Sequence, residues 1–295
     1  MNYKKWLENN TESLKGKTVV VTGSTGGLGT ELCRFLAELG ANLVLVNRSS
    51  GLTKIQSETL IKDFGVNVEF IKADLSNMDS VVSATEKLGA MPVDVFIHNA
   101  GAYSIPRYIC DTGYDNVFQI NFISPYYMIK KLLPVLRERK GRVVAVGSIA
   151  HNYSKSDKCN IDFASNPKAS KVYGNAKRYL MFSLYHLFEN ESEATLSIAH
   201  PGISFTGITA HYPKLIFAVI KHPMKIIFMK PKKASLSVLR GVFENTKMCY
   251  WIGPRIFNVW GNPKKQKLKT AKRQEIDFIG DTAQKIYFEI GNKRV

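Results

Sequence analysis

Residues 17–39 read KTVVVTGSTGGLGTELCRFLAEL. Lys17 to Thr22 is a β-branched run that suits a buried strand, and Leu28 to Leu39 has helical periodicity that stops at Gly40, a natural helix C-cap. Between them lies Thr22-Gly23-Ser24-Thr25-Gly26-Gly27-Leu28-Gly29, a strand that turns through glycines directly into a helix. Glycine permits positive φ and lets backbone N–H groups come close to an anion. The start of the helix adds its partial positive charge. Glycines at a strand–turn–helix junction this near the N-terminus point to a pyrophosphate-binding turn.

The same alternation continues outward. Strands are predicted at Asn42 to Val46, Val66 to Ile71, Val93 to Ile97, Arg142 to Val146 and Leu196 to Ala199. Helices are predicted at Leu52 to Phe64, closed by Gly65, and at Asn77 to Leu88, with Asn77 as N-cap. Two more fall at about Ile123 to Arg137 and Tyr173 to Phe188. Six strands rich in Val and Ile, each followed by a helix, predict an α/β fold. It is a doubly wound parallel sheet of the Rossmann type, covered on both faces. A single domain over 1–295 is expected, with the core at 15–202. Residues 203–233 are rich in aromatics, Met, Lys and Pro and read as a substrate lid inserted after the sixth strand. Residues 234–295 read as a C-terminal helix, begun at about Lys233, followed by a short strand near Met248 to Ile252 and a basic tail.

Composition narrows the class. The 295 residues are 45% apolar and 22% charged, ordinary for a globular protein. The four cysteines, Cys33, Cys110, Cys159 and Cys249, are scattered, which suits isolated buried thiols in a reducing compartment and no metal site. Met1 to Leu14 has no apolar core of a signal peptide. The most apolar run, Leu215 to Met229, is interrupted by Lys221, His222, Pro223 and Lys225, too broken for a membrane span. A cytoplasmic location is expected. The net charge is +17, and between Lys214 and Arg273 fifteen basic residues face one acid, Glu244. A solvated surface and an anionic partner, such as weak peripheral contact with an anionic membrane, both fit that asymmetry.

Two more clusters carry chemistry. The second strand ends in Asn47-Arg48-Ser49. A carboxylate there would bind the ribose 2′-OH of NAD; its absence and Arg48 favour the 2′-phosphate of NADP(H). Tyr173 and Lys177 stand four apart on a helix and share a face, so the cation can lower the phenol pKa and make it an acid/base. Ser148, at the end of a strand, offers a hydroxyl to a substrate oxygen.

Taken in order, these residues resemble the short-chain dehydrogenase/reductase family over about residues 15–260. The match rests on Gly23, Gly27 and Gly29 in the turn, Asp74-Leu75 after the third strand, and Asn99-Ala100-Gly101 after the fourth. It continues through Asn121, Ser148, Tyr173, Lys177, and Pro201-Gly202 with Thr206. The resemblance implies catalysis by Asn121, Ser148, Tyr173 and Lys177, with Asn121 holding a water that links Lys177 to solvent. It implies cofactor contacts from Gly23, Ser24, Thr25, Gly27, Leu28, Gly29, Arg48, Asp74, Leu75, Asn99, Ala100, Gly101, Tyr173, Lys177, Pro201, Gly202 and Thr206. A homodimer, paired through the helices after the fourth and fifth strands, is a further implication. Ser148 to His151, Ile161 to Phe163, His200 to Gly202, Gly253-Pro254 and Trp260 to Pro263 resemble the retinol-dehydrogenase-like branch. That branch implies a bulky apolar alcohol or carbonyl of steroid, retinoid or lipid-like type. His98 departs from the family's Asn, and reads as a structural exchange. Two other classes are weighed: a nucleotide sensor without turnover, which would not require Ser148, Tyr173 and Lys177 together, and a nucleic-acid binder using the basic C-terminal half. No specific nucleic acid is expected.

Overall fold

The computed structural model describes residues 2–202, 229–246 and 248–292. Its sheet has eight strands: β1 Thr18–Thr22, β2 Asn42–Asn47, β3 Val68–Lys72, β4 Val95–His98, β5 Arg142–Val146, β6 Thr195–Ala199, β7 Tyr250–Ile256 and β8 Trp260–Lys267. The order across the sheet is β3-β2-β1-β4-β5-β6-β7-β8. Every neighbouring pair is parallel except β7 and β8, which form an antiparallel hairpin. The chain moves outward from β1 through β2 to β3, then returns to place β4 on the other side of β1. Loops therefore diverge between the C-terminal ends of β1 and β4, and such a switch point opens a crevice for ligands.

Helices cover both faces. On one side α2 (Gly27–Glu38), α8 (Pro231–Phe243) and α1 (Tyr3–Asn10) bury Leu32, Leu36, Leu236, Leu239 and Trp6 against Val19, Val21, Leu43 and Leu45. On the other, α4 (Met78–Gly89), α6 (Ser124–Glu138), α7 (Ala169–Leu187) and α9 (Arg273–Asn292) pack on Val20, Phe96 and Val143. The strands alternate between these two cores with the period of 2 that a sheet imposes. The remaining α-helices among the described residues are α3 (Ser50–Phe64) and the three-residue α5 (Asn116–Phe118). The fold is the doubly wound α/β domain the sequence predicts. Gly40 and Gly65 close their helices at φ of 86° and 66°, and the Asn77 side chain accepts from the Ser80 N–H. No helix among the described residues is long and apolar enough to cross a membrane.

The chain departs from expectation mainly after residue 230. Helix α8 begins at Pro231, so residues 231–233 belong to it and not to a lid. Residues 203–228 lie outside the described residues. The expected basic tail is instead a hairpin and a 20-residue helix, α9. Ile276, Ile279, Ala283, Ile286 and Ile290 bury one stripe of α9 against α7 and the edge of α6. Gly280 makes this approach possible: a Cβ there would collide with the His186 ring on α7. A fork from Arg178 to Glu275, with Nε to Oε1 at 2.6 Å, fixes the register of the two helices. Nor are all the thiols buried, since Cys159 is exposed.

Candidate active site

The loops at the C-terminal ends of β1, β2, β4, β5 and β6 surround one cavity of about 720 Å³. One end is the glycine turn. Gly29 opens helix α2 against that turn, and a Cβ at residue 29 would strike the Gly23 carbonyl oxygen and the Ser24 backbone. The Thr22 hydroxyl ties the turn to the neighbouring loop by accepting from the Asn99 and Ala100 N–H groups, each at 3.1 Å. Its single proton is therefore left for His98 Nδ1, 3.1 Å away. This network assigns His98 the Nε2–H tautomer. Burial lowers its pKa well below the usual histidine range, with the Lys177 charge adding to the effect. His98 is a neutral brace beneath the turn.

Most of the predicted cofactor residues line this cavity: Gly23, Thr25, Gly27, Leu28, Gly29, Arg48, Asp74, Leu75, Asn99, Ala100, Gly101, Tyr173, Lys177, Pro201 and Gly202. Ser24 does not. Its side chain is fully buried behind the turn, donating to Gln56 Oε1 at 2.7 Å and accepting from Asn47 Nδ2 at 2.7 Å. Asn47 is thus a second brace, and beyond it Arg48 and Ser49 are exposed at the rim. Thr206 lies outside the described residues.

Two features fit a dinucleotide. Gly29 lets α2 start hard against the glycine turn, which brings the helix N-terminus to that end of the cavity. Asn99 lines the cavity, donates to the Thr22 and Gly23 carbonyls, and keeps a buried Oδ1 without a partner. A buried acceptor without a donor costs about 1–3 kcal/mol, which a ligand hydroxyl would relieve.

At the other end, α7 presents Tyr173 and Lys177 beside Ser148 at the end of β5. Lys177 is almost fully buried, and its Nζ donates to the Val146 carbonyl at 3.0 Å. Burial lowers its pKa to about 8. The Tyr173 phenol is pushed up to about 12 by burial, against the opposing pull of hydrogen bonding with Ser148; Tyr103 and Tyr153 push the same way as burial. The sequence reading had Lys177 lowering the phenol pKa. Burial is the largest influence on the phenol here and raises its pKa, so the phenol rests protonated at neutral pH. The Ser148 Oγ accepts from the Ala150 N–H at 3.2 Å, capping a short 3₁₀ helix at Ile149–Tyr153, and its hydroxyl is within hydrogen-bonding reach of the Tyr173 phenol.

Asn121 sits within a π-helical turn, Gln119–Ile123, that joins α5 to α6. Its Nδ2 donates to the carbonyls of Ala102 and Val117, both at 2.8 Å, and Oδ1 accepts from the Ala102 N–H at 3.3 Å. Both donors are used, and the residue is fully buried away from the cavity lining. Gly101 allows the close packing, because a Cβ there would be 2.9 Å from Asn121 Oδ1 and 3.6 Å from Lys177 Nζ. Asn121 thereby holds the loop that begins at Ala102.

The sequence reading missed four residues. Tyr103, Tyr153 and His200 line the cavity, with Tyr103 packed edge-on to Tyr173 at 5.3 Å. Arg107 clamps two loops together: Nε donates to Asp115 Oδ2 at 2.8 Å, and the guanidinium reaches the Phe163, Ala164 and Asn166 carbonyls. Ile105, Ile149 and Ala150 complete an apolar and aromatic wall in front of Tyr173. For Arg107 the only signal in the sequence is an arginine in a loop, and its three carbonyl partners lie more than fifty residues away.

Comparison with known proteins agrees with this fold. The family model for short chain dehydrogenases matches residues 17–159. An uncharacterised oxidoreductase of Bacillus subtilis, YmfI, is 32% identical over 165 residues, 55% of this chain and 68% of its own. The chloroplastic short-chain dehydrogenase TIC 32 A of Brassica napus is 27% identical over 225 residues, 69% of each chain. A human polyprenol dehydrogenase is 26% identical over 211 residues, 66% of this chain and 63% of that one. Among solved structures, an uncharacterised protein from Mycobacterium paratuberculosis shares the fold with a TM-score of 0.72 at 21% identity, covering 94% of this chain and 95% of its own.

Proposed function

This chain belongs to the short-chain dehydrogenase/reductase family, and from that premise we propose that it is an NADP(H)-dependent oxidoreductase interconverting a bulky apolar alcohol with its ketone or aldehyde. The observation that carries the reading is a single cavity with Tyr173, Lys177 and Ser148 at one end and the glycine turn at the other. The retained Tyr–Lys–Ser set favours turnover over a sensing role.

Gly23 to Gly29, Asp74, Asn99 and Arg48 are the residues that would hold the dinucleotide, and when bound it supplies the hydride. The chain does the rest. The Ser148 hydroxyl orients and polarises the substrate oxygen. Tyr173 Oη holds a proton that burial keeps in place at neutral pH, and passes it to that oxygen as negative charge builds there. Lys177, on the same helix face, stands beside the phenolate so formed. Asn121 fixes Ala102 and with it the loop that shapes the substrate side. We assign Asn121 a positioning role.

Cofactor choice follows from Arg48 at the rim and from the absence of a carboxylate at the end of β2. The apolar substrate class follows from the Tyr103, Ile105, Ile149 and Tyr153 wall. The resemblance to the retinol-dehydrogenase-like branch supports it, as does the relative that acts on a polyprenol. The test is NADPH oxidation over a panel of steroid, retinoid, long aliphatic and quinone carbonyls, with small polar carbonyls beside them. Turnover on an apolar member is expected. NADPH binding with no carbonyl consumed would overturn the reading in favour of a sensor.

A further inference from the structure

The β7–β8 hairpin ends in a turn whose aromatic residue, Phe257, packs in neither the core nor the cavity. The Val259 N–H donates to the Ile256 carbonyl at 2.9 Å, so Phe257 and Asn258 are the two central residues of a tight turn. Both have positive φ, 50° and 57°. A tight turn whose two central residues have positive φ is easily made by asparagine or glycine, and Asn258 suits it. Phe257 does not, because a bulky side chain is disfavoured at positive φ. Its ring gains nothing from the protein's own interior, being 85% exposed. Ile256 and Trp260, paired across the strands at the base of the turn, are 50% and 37% exposed. Phe257 and Ile256 therefore project from one tip beside a partly exposed Trp260, and Phe257 is held there against backbone preference.

The surrounding charge is of one sign. From Asn245 to Lys272 the chain contains Arg255, Lys264, Lys265, Lys267, Lys269 and further lysines, and no acid. The flanking acids are already engaged, Glu244 by Arg240 and Glu275 by Arg178. Lysines on an edge strand such as β8 also discourage sheet-to-sheet pairing. That accounts for their place in the strand and leaves the aromatic tip unexplained.

We propose that the β7–β8 tip docks on an anionic lipid bilayer. Phe257 and Ile256 enter the interfacial layer with the exposed edge of Trp260, while Arg255 and Lys264, the basic residues nearest the tip, face the headgroups. Amphipathic aromatic rings favour the boundary between headgroup and acyl chain, and basic side chains are drawn to anionic lipid within a Debye length. The shape argues against nucleic acid: single strands are held in basic grooves that carry stacking rings, and this tip is a convex point. The tip also belongs to the edge of the cavity. His200, which lines the cavity, bonds through Nε2 to the Asn258 carbonyl at 3.0 Å, and the Val259 carbonyl abuts Gly202. Docking would turn the Pro201–Gly202 end of the cavity toward the lipid.

Flotation of the full chain with phosphatidylcholine vesicles, with and without phosphatidylserine, tests this at low and high salt. The unmodified chain is expected to float with the anionic vesicles at low salt, to be released at high salt, and to ignore the neutral ones. Phe257→Asn is the informative variant. It places at the turn a residue that tolerates positive φ and removes the ring. Its melting temperature should match or exceed that of the unmodified chain, while vesicle affinity falls at least about tenfold, the scale of one lost aromatic burial. Opposite movements of stability and affinity separate lost docking from lost folding. Absence of flotation by the unmodified chain, or undiminished flotation by Phe257→Asn, would overturn the proposal. So would a salt-sensitive gel shift with nucleic acid in place of flotation. The assay needs neither cofactor nor substrate, so its outcome is independent of the carbonyl screen.

Discussion

Lys177 Nζ lies 5.8 Å from the centre of the Tyr173 ring, one helical turn away, and is anchored 3.0 Å from the Val146 carbonyl. The pair divides the work: the phenol is held protonated and the ammonium stands ready for the charge that appears when the proton leaves. Tyr173→Phe should cut turnover by at least about 10²-fold, the scale of a lost general acid. Cofactor affinity, read by fluorescence titration, should stay within a factor of a few. A phenylalanine variant with near-normal turnover would remove Tyr173 from the mechanism.

The depressed Lys177 pKa has two measurable effects. Reduction should be insensitive to this group below pH 8 and should slow above it, as the ammonium is lost. Stability has the opposite trend. Below pH 8 both the folded and unfolded chains carry the proton, and the folded chain bears the full cost of burying the charge. Between pH 8 and the unfolded value of 10.5 only the unfolded chain holds it, so this contribution makes stability rise with pH. Lys177→Met should therefore abolish turnover yet stabilise the fold at pH 7 by about 1–3 kcal/mol, with the lost bond to Val146 offsetting part of the gain. Urea unfolding at pH 7 and pH 10 checks this. A gain as large at pH 10 as at pH 7 would contradict it.

Histidines set the acid limit. Burial lowers the pKa of both His151 and His200 to about 4, and His98 also falls well below its ordinary value. All three are neutral when folded. For His151 and His200 the contribution to stability is complete above the unfolded pKa of 6.5 and is lost as pH falls from there toward 4, and His98 adds a loss in the same direction. The loss for His151 or His200 is up to about 3 kcal/mol each. Denaturant midpoints should drop steadily over that range, before most carboxylates titrate. His98→Asn should flatten the drop, since one of the three protons no longer has a site. An unchanged slope in that variant would mean that His98 does not stay neutral.

Arg48 stands at the exposed rim beyond a buried Asn47. NADPH should be preferred over NADH, and Arg48→Ala should reduce the preference by about tenfold to a hundredfold, the range for one charge-assisted contact. The ratio of kcat/KM for the two cofactors is the measurement. Equal values in the unmodified chain would remove the basis for the assignment.

The first six strands and most of their helices were legible because each is a long run of one period with a cap at its end. The glycine turn was legible as a location but not side chain by side chain. Gly29 and Ser24 sit in the same motif, yet Gly29 lines the cavity and Ser24 is turned inward onto Asn47 and Gln56. Nothing local distinguishes the two. Strand β8 was hidden because WGNPKKQK carries a proline and three lysines, the composition of an edge strand and equally of a loop. Helix α9 was hidden by its charge context, although Ile276, Ile279, Ala283, Ile286 and Ile290 have heptad spacing. Arg107 was unreadable because its role exists only once distant carbonyls have been brought to it.

Helix α9 makes one part of the chain serve as the neighbour of another. The stripe from Ile276 to Ile290 lies over α7 and against α6, the two helices through which the family resemblance implies that subunits pair. A folded state completed by a second molecule melts at a midpoint that depends on protein concentration; one completed from within does not. The melting midpoint of this chain should accordingly stay constant across a wide dilution series. Gly280→Ala, which forces α9 away from the His186 ring, should lower that midpoint by the equivalent of about 1–3 kcal/mol, the usual cost of overpacking. It should also make the midpoint rise with concentration, as the uncovered helices seek one another. A concentration-dependent midpoint in the unmodified chain would show that α9 does not relieve it of the need for a partner.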